Sequence, residues 1–108
     1  MPIIFVESQY PVSKNKEVLA AWMKALEKYP RDEGLATPLV ESAVTSDKCG
    51  LRVLSAIQTK PGKYEEAIAR TAKFMTEFFD IEGFCYEIRT WMTIEEAMES
   101  IGQKAPKT

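Results

Sequence analysis

The residues best suited to chemistry in this sequence are charged side chains that lie within predicted strands and have apolar neighbours. A partly buried carboxylate with a shifted pKa could act as a base, and an arginine could hold an anionic substrate. The candidate catalytic residues are Glu7, Glu87 and Arg89, and the candidate ligand-binding residues of this type are Glu41 and Arg52. The alternative is that all five are solvated strand residues or cross-strand ion pairs that protect sheet edges.

Aromatic residues could line a cavity for a planar small molecule. Tyr86 and Trp91, in the last predicted strand, are the candidate ligand-binding pair, with packing or an interface as the alternative. Trp22 and Tyr29 lie at the spacing of a helix core, which favours packing for both. Cys85 has no histidine to activate it, so the sequence predicts a small, buried, apolar role for this residue.

The sequence contains no histidine. Histidine is the commonest general base near neutral pH and the commonest metal ligand. Its absence excludes a Ser-His-Asp triad, a Cys-His nucleophile pair, a histidine-ligated haem and the usual catalytic zinc site. Any chemistry would rest on carboxylates, Lys, Tyr, Cys or a bound cofactor, and we expect no cofactor and no metal.

Length and composition predict one soluble globular domain over residues 1–102, followed by a flexible tail at 103–108. The 45% hydrophobic and 28% charged content argues against disorder. The formal net charge of -2 provides no long-range attraction to nucleic acid or to anionic membranes. No apolar run approaches the roughly 20 residues of a membrane span, and no signal segment is recognisable. We therefore expect a cytoplasmic protein with Cys49 and Cys85 reduced.

The chain is organised around a strand that turns into an amphipathic helix over residues 51–79. The strand, 51–59, carries apolar residues on both faces, which is typical of a central strand. Pro61 ends it, because proline cannot donate a ladder hydrogen bond. Apolar residues then recur at helical spacing: Tyr64, Ala67, Ile68, Thr71, Met75 and Phe78. Phe74 and Phe79 lie outside this stripe, which indicates either a broad apolar sector or a second covering surface.

The remaining segments predict three more strands and two more helices. The strands are 3–10, 39–45 (an edge strand) and 84–92, and the helices are 14–29 and 94–101. Ser13 is the predicted N-cap of the first helix, and Thr93 to Glu96 has the spacing of a capping box. The resulting order is strand, helix, strand, strand, helix, strand and short helix, which is the split βαβ arrangement.

This order, together with the strand-to-helix junction KPGKYEEA at residues 60–67, resembles the dimeric α+β barrel superfamily. Members of that superfamily have a ferredoxin-like fold and include antibiotic-biosynthesis-type monooxygenases. In many of these families the Pro-Gly-Lys junction follows the first strand, whereas here it follows the third. The resemblance implies two antiparallel sheets that pair face to face, with ligand sites in the barrel or between sheet and helices. It implies no particular catalytic residue.

The residue pattern predicts a homodimer independently of this resemblance. Two helices on one face of a four-stranded sheet leave the other face bare. Here that face would carry several of Phe5, Val40, Leu54 and Trp91. Because an exposed apolar patch of this kind normally marks an interface, we expect the chain to pair with itself.

Three functions are compatible with the sequence. The favoured one is binding of a small organic molecule, in a barrel or a sheet–helix cavity, by a homodimer. The alternatives are a cofactor-independent monooxygenase or isomerase of a small metabolite, and a purely structural dimerisation domain. A buried ionisable group that converges on a cavity would favour catalysis, and a barrel filled by its own side chains would favour the structural role. We expect neither a nucleic-acid nor a membrane partner.

Overall fold

The computed structural model describes residues 1–104, and the last part of the predicted tail, 105–108, lies outside the described residues. Within 1–104 the chain forms one four-stranded antiparallel sheet and three α-helices. The strands are β1 (Ile3–Tyr10), β2 (Ala36–Asp47), β3 (Gly50–Thr59) and β4 (Cys85–Trp91). The α-helices are α1 (Asn15–Lys28), α2 (Tyr64–Met75) and α3 (Ile94–Ser100). Short 3-10 turns at Val12–Lys14 and Thr76–Phe78 precede α1 and follow α2. The predicted α+β class with an antiparallel sheet is confirmed.

The strands lie in the order β2-β3-β1-β4, so β1 and β3 are central and β2 and β4 are the edges. Both neighbours of β1 run antiparallel to it, with Ile3 opposite Gln58 of β3 and Trp91 of β4. Each residue of β1 from Ile3 to Gln9 therefore has a partner on either side. The order places the strand predicted at 51–59 in the centre of the sheet, as its apolar residues on both faces require.

One face of the sheet packs against α1 and α2, and we call it the covered face. Ile4, Ser8 and Tyr10 of β1 are buried there. Tyr10 belongs to a core cluster with Val18 of α1, Met75 of α2 and Phe78. The stripe predicted for the second helix is confirmed, because Ala67, Thr71, Met75 and Phe78 are its buried members.

The opposite face is not covered by α1 or α2, and we call it the open face. It carries the alternate residues of the three paired strands: Ile3, Phe5, Glu7 and Gln9 of β1, Arg52, Leu54, Ala56 and Gln58 of β3, and Cys85, Glu87, Arg89 and Trp91 of β4. The rings of Phe5 and Trp91 meet edge to face with centroids 6.0 Å apart. Exposure of Trp91 is 51%, so an aromatic patch faces solvent on a single chain.

Several local predictions differ from the structure, and α1 and α3 are each slightly shorter than the helices predicted at 14–29 and 94–101. The second strand is longer than 39–45, because an edge strand tolerates Pro38 and two register shifts absorb the irregularity. Ser13 does not cap α1: it lies in the 3-10 turn that Pro11 opens, where the N–H of Lys14 donates to the Pro11 carbonyl. The fourth strand is shorter by one residue at each end than 84–92.

The capping box predicted at the start of α3 is confirmed. The N–H of Glu96 donates to Thr93 Oγ1 at 3.2 Å, and the N–H of Thr93 donates to Glu96 Oε1 at 3.0 Å. The ammonium of Met1 lies 2.8 Å from Glu96 Oε2. That ion pair and the hydrogen bond from Thr93 hold the pKa of Glu96 below its usual value. The start of α3 is therefore tied to the first residue of the chain.

Candidate functional site

A cavity of about 430 Å³ lies between the covered face and the two long helices, and we call it the main cavity. Its floor is formed by the central strands, with Ile4 and Ile57 among the contributors. Its roof is formed by Trp22 and Leu26 of α1 together with Phe74 of α2. Small-molecule sites typically occupy roughly 300–1,000 Å³ and have apolar walls, so this cavity has the size and lining of a binding site.

A second, smaller space of about 210 Å³ adjoins the main cavity, and we call it the aromatic cavity. Tyr10, Phe78 and Phe84 form part of its wall, with the rings of Phe78 and Phe84 stacked at 4.8 Å. The two cavities share the following lining residues: Val6, Trp22, Ser42, Ser55, Phe74 and Met75. They are neighbouring parts of one apolar layer beneath the helices.

Small side chains leave this space empty. Ala67 of α2 is 2% exposed and lines the main cavity, and Ser55 of β3 lies between the two cavities. A leucine or phenylalanine at either position would project into the volume that is now open. Thr71 also lines the main cavity, but its hydroxyl donates to the Ala67 carbonyl at 3.0 Å and is satisfied within its own helix.

Charged residues gather where the main cavity opens toward the loop between α1 and β2. Arg31 and Asp32 belong to that loop, Glu41 to β2 and Arg70 to α2. Arg31 Nη1 lies 2.7 Å from Glu41 Oε1, an ion pair that links the loop to the edge strand. Asp32 Oδ1 accepts a hydrogen bond from the N–H of Gly34 at 2.9 Å, which shapes the loop itself.

Arg70 is the half-buried cation of this mouth. Its Nη2 donates to the Tyr29 carbonyl at 2.7 Å and its Nε to the Pro30 carbonyl at 3.1 Å. It therefore satisfies carbonyl groups where α1 ends. Its guanidinium also lies over the Phe74 ring, 5.6 Å from the centroid. Burial lowers the pKa of Arg70, the nearby charge of Arg31 lowers it further, and Asp32 opposes both effects.

The open face carries a row of charged side chains across the strands. Arg52 Nη2 lies 2.6 Å from Glu7 Oε1, and Arg52 Nη1 lies 3.6 Å from Asp47 Oδ2. Arg89 Nη2 lies 2.8 Å from Glu87 Oε2. Glu7 and Glu87 are direct cross-strand partners. Side-chain exposure is 43% for Glu7 and Arg52 and 59% for Glu87 and Arg89, so on a single chain these are partly solvated ion pairs.

The structure divides the candidate residues among three places. Glu7, Arg52, Glu87, Arg89 and Trp91 lie on the open face, Glu41 lies at the mouth of the main cavity, and Tyr86 lies on the covered face. Tyr86 packs against the core, with its ring stacked on Phe79 at 6.3 Å. The prediction that Cys85 is buried is wrong: it is exposed at the end of an edge strand, beside the open face.

Sequence reasoning missed Arg31 and Arg70, and for Trp22 it favoured packing over a place in the wall of a cavity. Trp22 is 39% exposed and lines both cavities. Arg70 lies three residues after Ala67 and four before Phe74, so it borders the apolar stripe of α2. This position on the border is the signal that could have identified Arg70. No comparable signal marks Arg31, because the ion pair with Glu41 depends on where the loop lies.

Comparison with known proteins informs the fold and not the site. No protein-family model and no curated protein matches the chain. Among solved structures the chain is similar to the de novo designed protein Foldit4, with a TM-score of 0.56 and 9% sequence identity. The alignment covers 85% of this chain and 96% of that chain. At this identity the likeness concerns the fold alone.

Across residues 1–104, no three Cys, Asp or Glu side chains are placed so that they could hold a metal ion. Among the helices described, none has the length and apolar character needed to cross a membrane.

Proposed function

We propose that this chain is a homodimeric domain of the ferredoxin-like, dimeric α+β barrel type that binds a small organic molecule between its covered face and its helices. The observation that carries the proposal is the main cavity of about 430 Å³, which has apolar walls and a mouth lined by charged residues. Its size and its lining are those of a ligand site.

The order of the elements supports the ferredoxin-like assignment. Along the chain β1, α1 and β2 are followed by β3, α2 and β4, and in the sheet β3 lies between β1 and β2 while β1 lies between β3 and β4. Each strand–helix–strand unit is therefore split by a strand of the other unit, as the split βαβ arrangement requires.

The open face supports the homodimer. Phe5, Leu54 and Trp91 give it apolar surface on a sheet that α1 and α2 cover only on the other side. The radius of gyration is 15.7 Å, whereas a compact chain of this length has about 13 Å, so a single chain is less compact than expected. Its smallest extent is 18 Å, which is the thickness of one sheet and one helix layer, so a second layer could still cover the open face. In a two-fold dimer the same patch meets itself, so arginines of one copy can face carboxylates of the other.

Binding is favoured over catalysis because of where the ionisable groups lie. The candidate catalytic residues Glu7, Glu87 and Arg89 form ion pairs on the face away from the main cavity. The charged groups that do line the main cavity stand at its mouth. A monooxygenase or isomerase would need an acid–base group that reaches the bound molecule. A purely structural domain would have no use for an internal space of this size.

The proposal is tested by titration with N-phenyl-1-naphthylamine, a neutral apolar probe that becomes fluorescent in apolar sites. We expect saturable binding of one molecule per chain. Ser55→Leu fills the wall shared by both cavities and should weaken binding by about tenfold or more, because an overpacked site costs on the order of 1–3 kcal/mol. Ser46→Leu is the matched control, since Ser46 is exposed in β2 and lines neither cavity. Equal affinity of the two variants would contradict the proposal.

A further inference from the structure

We propose that the ligand of the main cavity is an amphipathic carboxylate, whose apolar tail lies in the cavity and whose carboxylate binds Arg70. This inference rests on the proposed function and adds the chemical class of the ligand. It follows from the hydrogen bonds of Arg70, from the distribution of charge at the mouth and from the walls of the cavity.

The guanidinium of Arg70 has N–H donors that are not used by the hydrogen bonds to the end of α1. A guanidinium offers five N–H donors in a planar fork. Two of its nitrogens, Nε and Nη2, donate to the carbonyls of Pro30 and Tyr29. The remaining nitrogen, Nη1, has no hydrogen-bond acceptor among residues 1–104, although Arg70 lines the main cavity. A carboxylate is the acceptor that best matches a guanidinium, in geometry and in charge.

The charges at the mouth compensate Arg70 only in part, because burial and Arg31 lower its pKa by more than Asp32 raises it. Arg31 is paired with Glu41, and Asp32 accepts from the Gly34 backbone. Across residues 1–104, no carboxylate lies within ion-pairing distance of Arg70. The two guanidinium groups are close enough for Arg31 to lower the pKa of Arg70. A bound carboxylate would relieve this repulsion, whereas a bound cation would add to it.

The walls behind Arg70 fit an apolar tail. Ile4, Leu26, Ile57 and Phe74 line the main cavity. The aromatic cavity continues the apolar surface beyond the shared residues. A molecule with its carboxylate at the mouth could therefore place a hydrocarbon or aryl tail beneath α1, where it would be removed from water. A ligand charged along its length would have no partners there.

The test compares octanoate, 1-octanol and octylamine as competitors of N-phenyl-1-naphthylamine on the full chain. The three share one tail and differ only in the head group. We expect octanoate to displace the probe at about tenfold lower concentration than octanol, because hydrogen bonds to charged groups are stronger than neutral ones. We expect octylamine to be the weakest of the three.

Variants then assign the preference to one side chain. Arg70→Met should bring octanoate and octanol to within about twofold of each other, since the charged partner of the carboxylate is gone. Lys73→Met removes an exposed charge from the same helix and should leave the preference unchanged. Arg70→Lys keeps the charge and should keep part of the preference. Arg70→Met also loses the hydrogen bonds to the end of α1 and could therefore fail to fold. In that case the head-group preference of Arg70→Lys is compared with that of wild type.

Different outcomes separate this inference from the proposed function. Saturable probe binding with equal displacement by octanoate and octanol would overturn the carboxylate and leave the cavity as a binding site. Stronger displacement by octylamine would overturn it as well, and so would an unchanged preference in a folded Arg70→Met. If the probe itself does not bind, the proposed function fails and the carboxylate fails with it.

Discussion

Side chains from the same strands meet helices on the covered face and solvent on the open face of a single chain. Along β1, Ile4 and Tyr10 are buried on one side, whereas Phe5 and Glu7 on the other are only partly covered. The covered face contains the aromatic core and the two cavities, and the open face contains an apolar patch and the charged row. The alternation of a strand thus separates a face for packing, where we propose ligand binding, from a face where we propose association.

This difference assigns separate tasks to neighbouring residues. A substitution on the covered face should change folding stability or ligand binding. One on the open face should change association and leave the cavities alone. The contrast is open to experiment, because the chain offers pairs of similar residues that differ in their position in the fold.

The largest effect on stability is expected for Phe78→Ala. Phe78 is 5% exposed and its ring stacks on Phe84, so its removal leaves a cavity in the core. Loss of a buried phenylalanine typically costs about 3–5 kcal/mol of unfolding free energy. Phe79→Ala is the matched control, because Phe79 is 64% exposed and should cost well under half as much. Urea denaturation measures both, and equal losses would contradict the placement of the core.

The next largest effect is expected on association, for Leu54→Arg. Leu54 lies near the middle of the open face, opposite Glu7. An arginine there would be buried in the paired sheets, so dimer affinity should fall by about 100-fold, the scale of an interface hot spot. Met23→Arg places the same charge on the exposed side of α1, where Met23 is 64% exposed, and should leave the dimer intact. Sedimentation velocity over a range of concentrations distinguishes the two, and a wild-type monomer would refute the paired sheets.

The sequence predicted correctly those features that depend on residues close together in the chain. The bounds of β1 were predicted to the residue, because the strand starts with apolar residues and Pro11 ends it. The central position of β3 followed from its apolar residues on both faces. The capping box at Thr93 was also correct, since it depends on residues three positions apart.

Features that depend on tertiary packing could not be predicted in this way. Nothing in the sequence distinguishes Ser55 and Ala67, which leave room for a cavity, from small residues that simply fill a tight contact. The exposure of Cys85 depends on which strand lies at the edge of the sheet. The role of Arg70 depends on where α1 ends relative to α2. The sequence predicted a sheet–helix cavity as one possible place for a ligand, but among the residues at its charged mouth it named Glu41 and neither Arg31 nor Arg70.

The smallest effect is expected for Glu77→Gln, which tests the helix layer of the covered face. Lys28 Nζ donates to Glu77 Oε1 at 2.9 Å and joins the end of α1 to the turn after α2. This bond lowers the pKa of Glu77 and raises that of Lys28. Its contribution is therefore present from the ordinary pKa of the carboxyl, 4.5, up to that of the lysine, 10.5.

Outside this window the stabilisation is lost, as the pH falls through the lowered pKa of Glu77 or rises through the raised pKa of Lys28. Thermal unfolding of wild type and Glu77→Gln should differ slightly at neutral pH and converge in acid and in alkali. The neutral difference should also shrink in high salt, because Lys28 is half-exposed. A difference that stays constant from acid to neutral pH would show that the ion pair is not its cause.

The two tryptophans allow the most direct test of the central claim, because Trp22 lines both cavities and Trp91 lies on the open face. The measurement is the emission of Trp22 in the Trp91→Phe variant during titration with N-phenyl-1-naphthylamine. A bound probe beside Trp22 should quench it by energy transfer, saturably and in step with the rise in probe fluorescence. If the probe brightens while Trp22 emission stays constant, the probe binds elsewhere and the cavity is not the site.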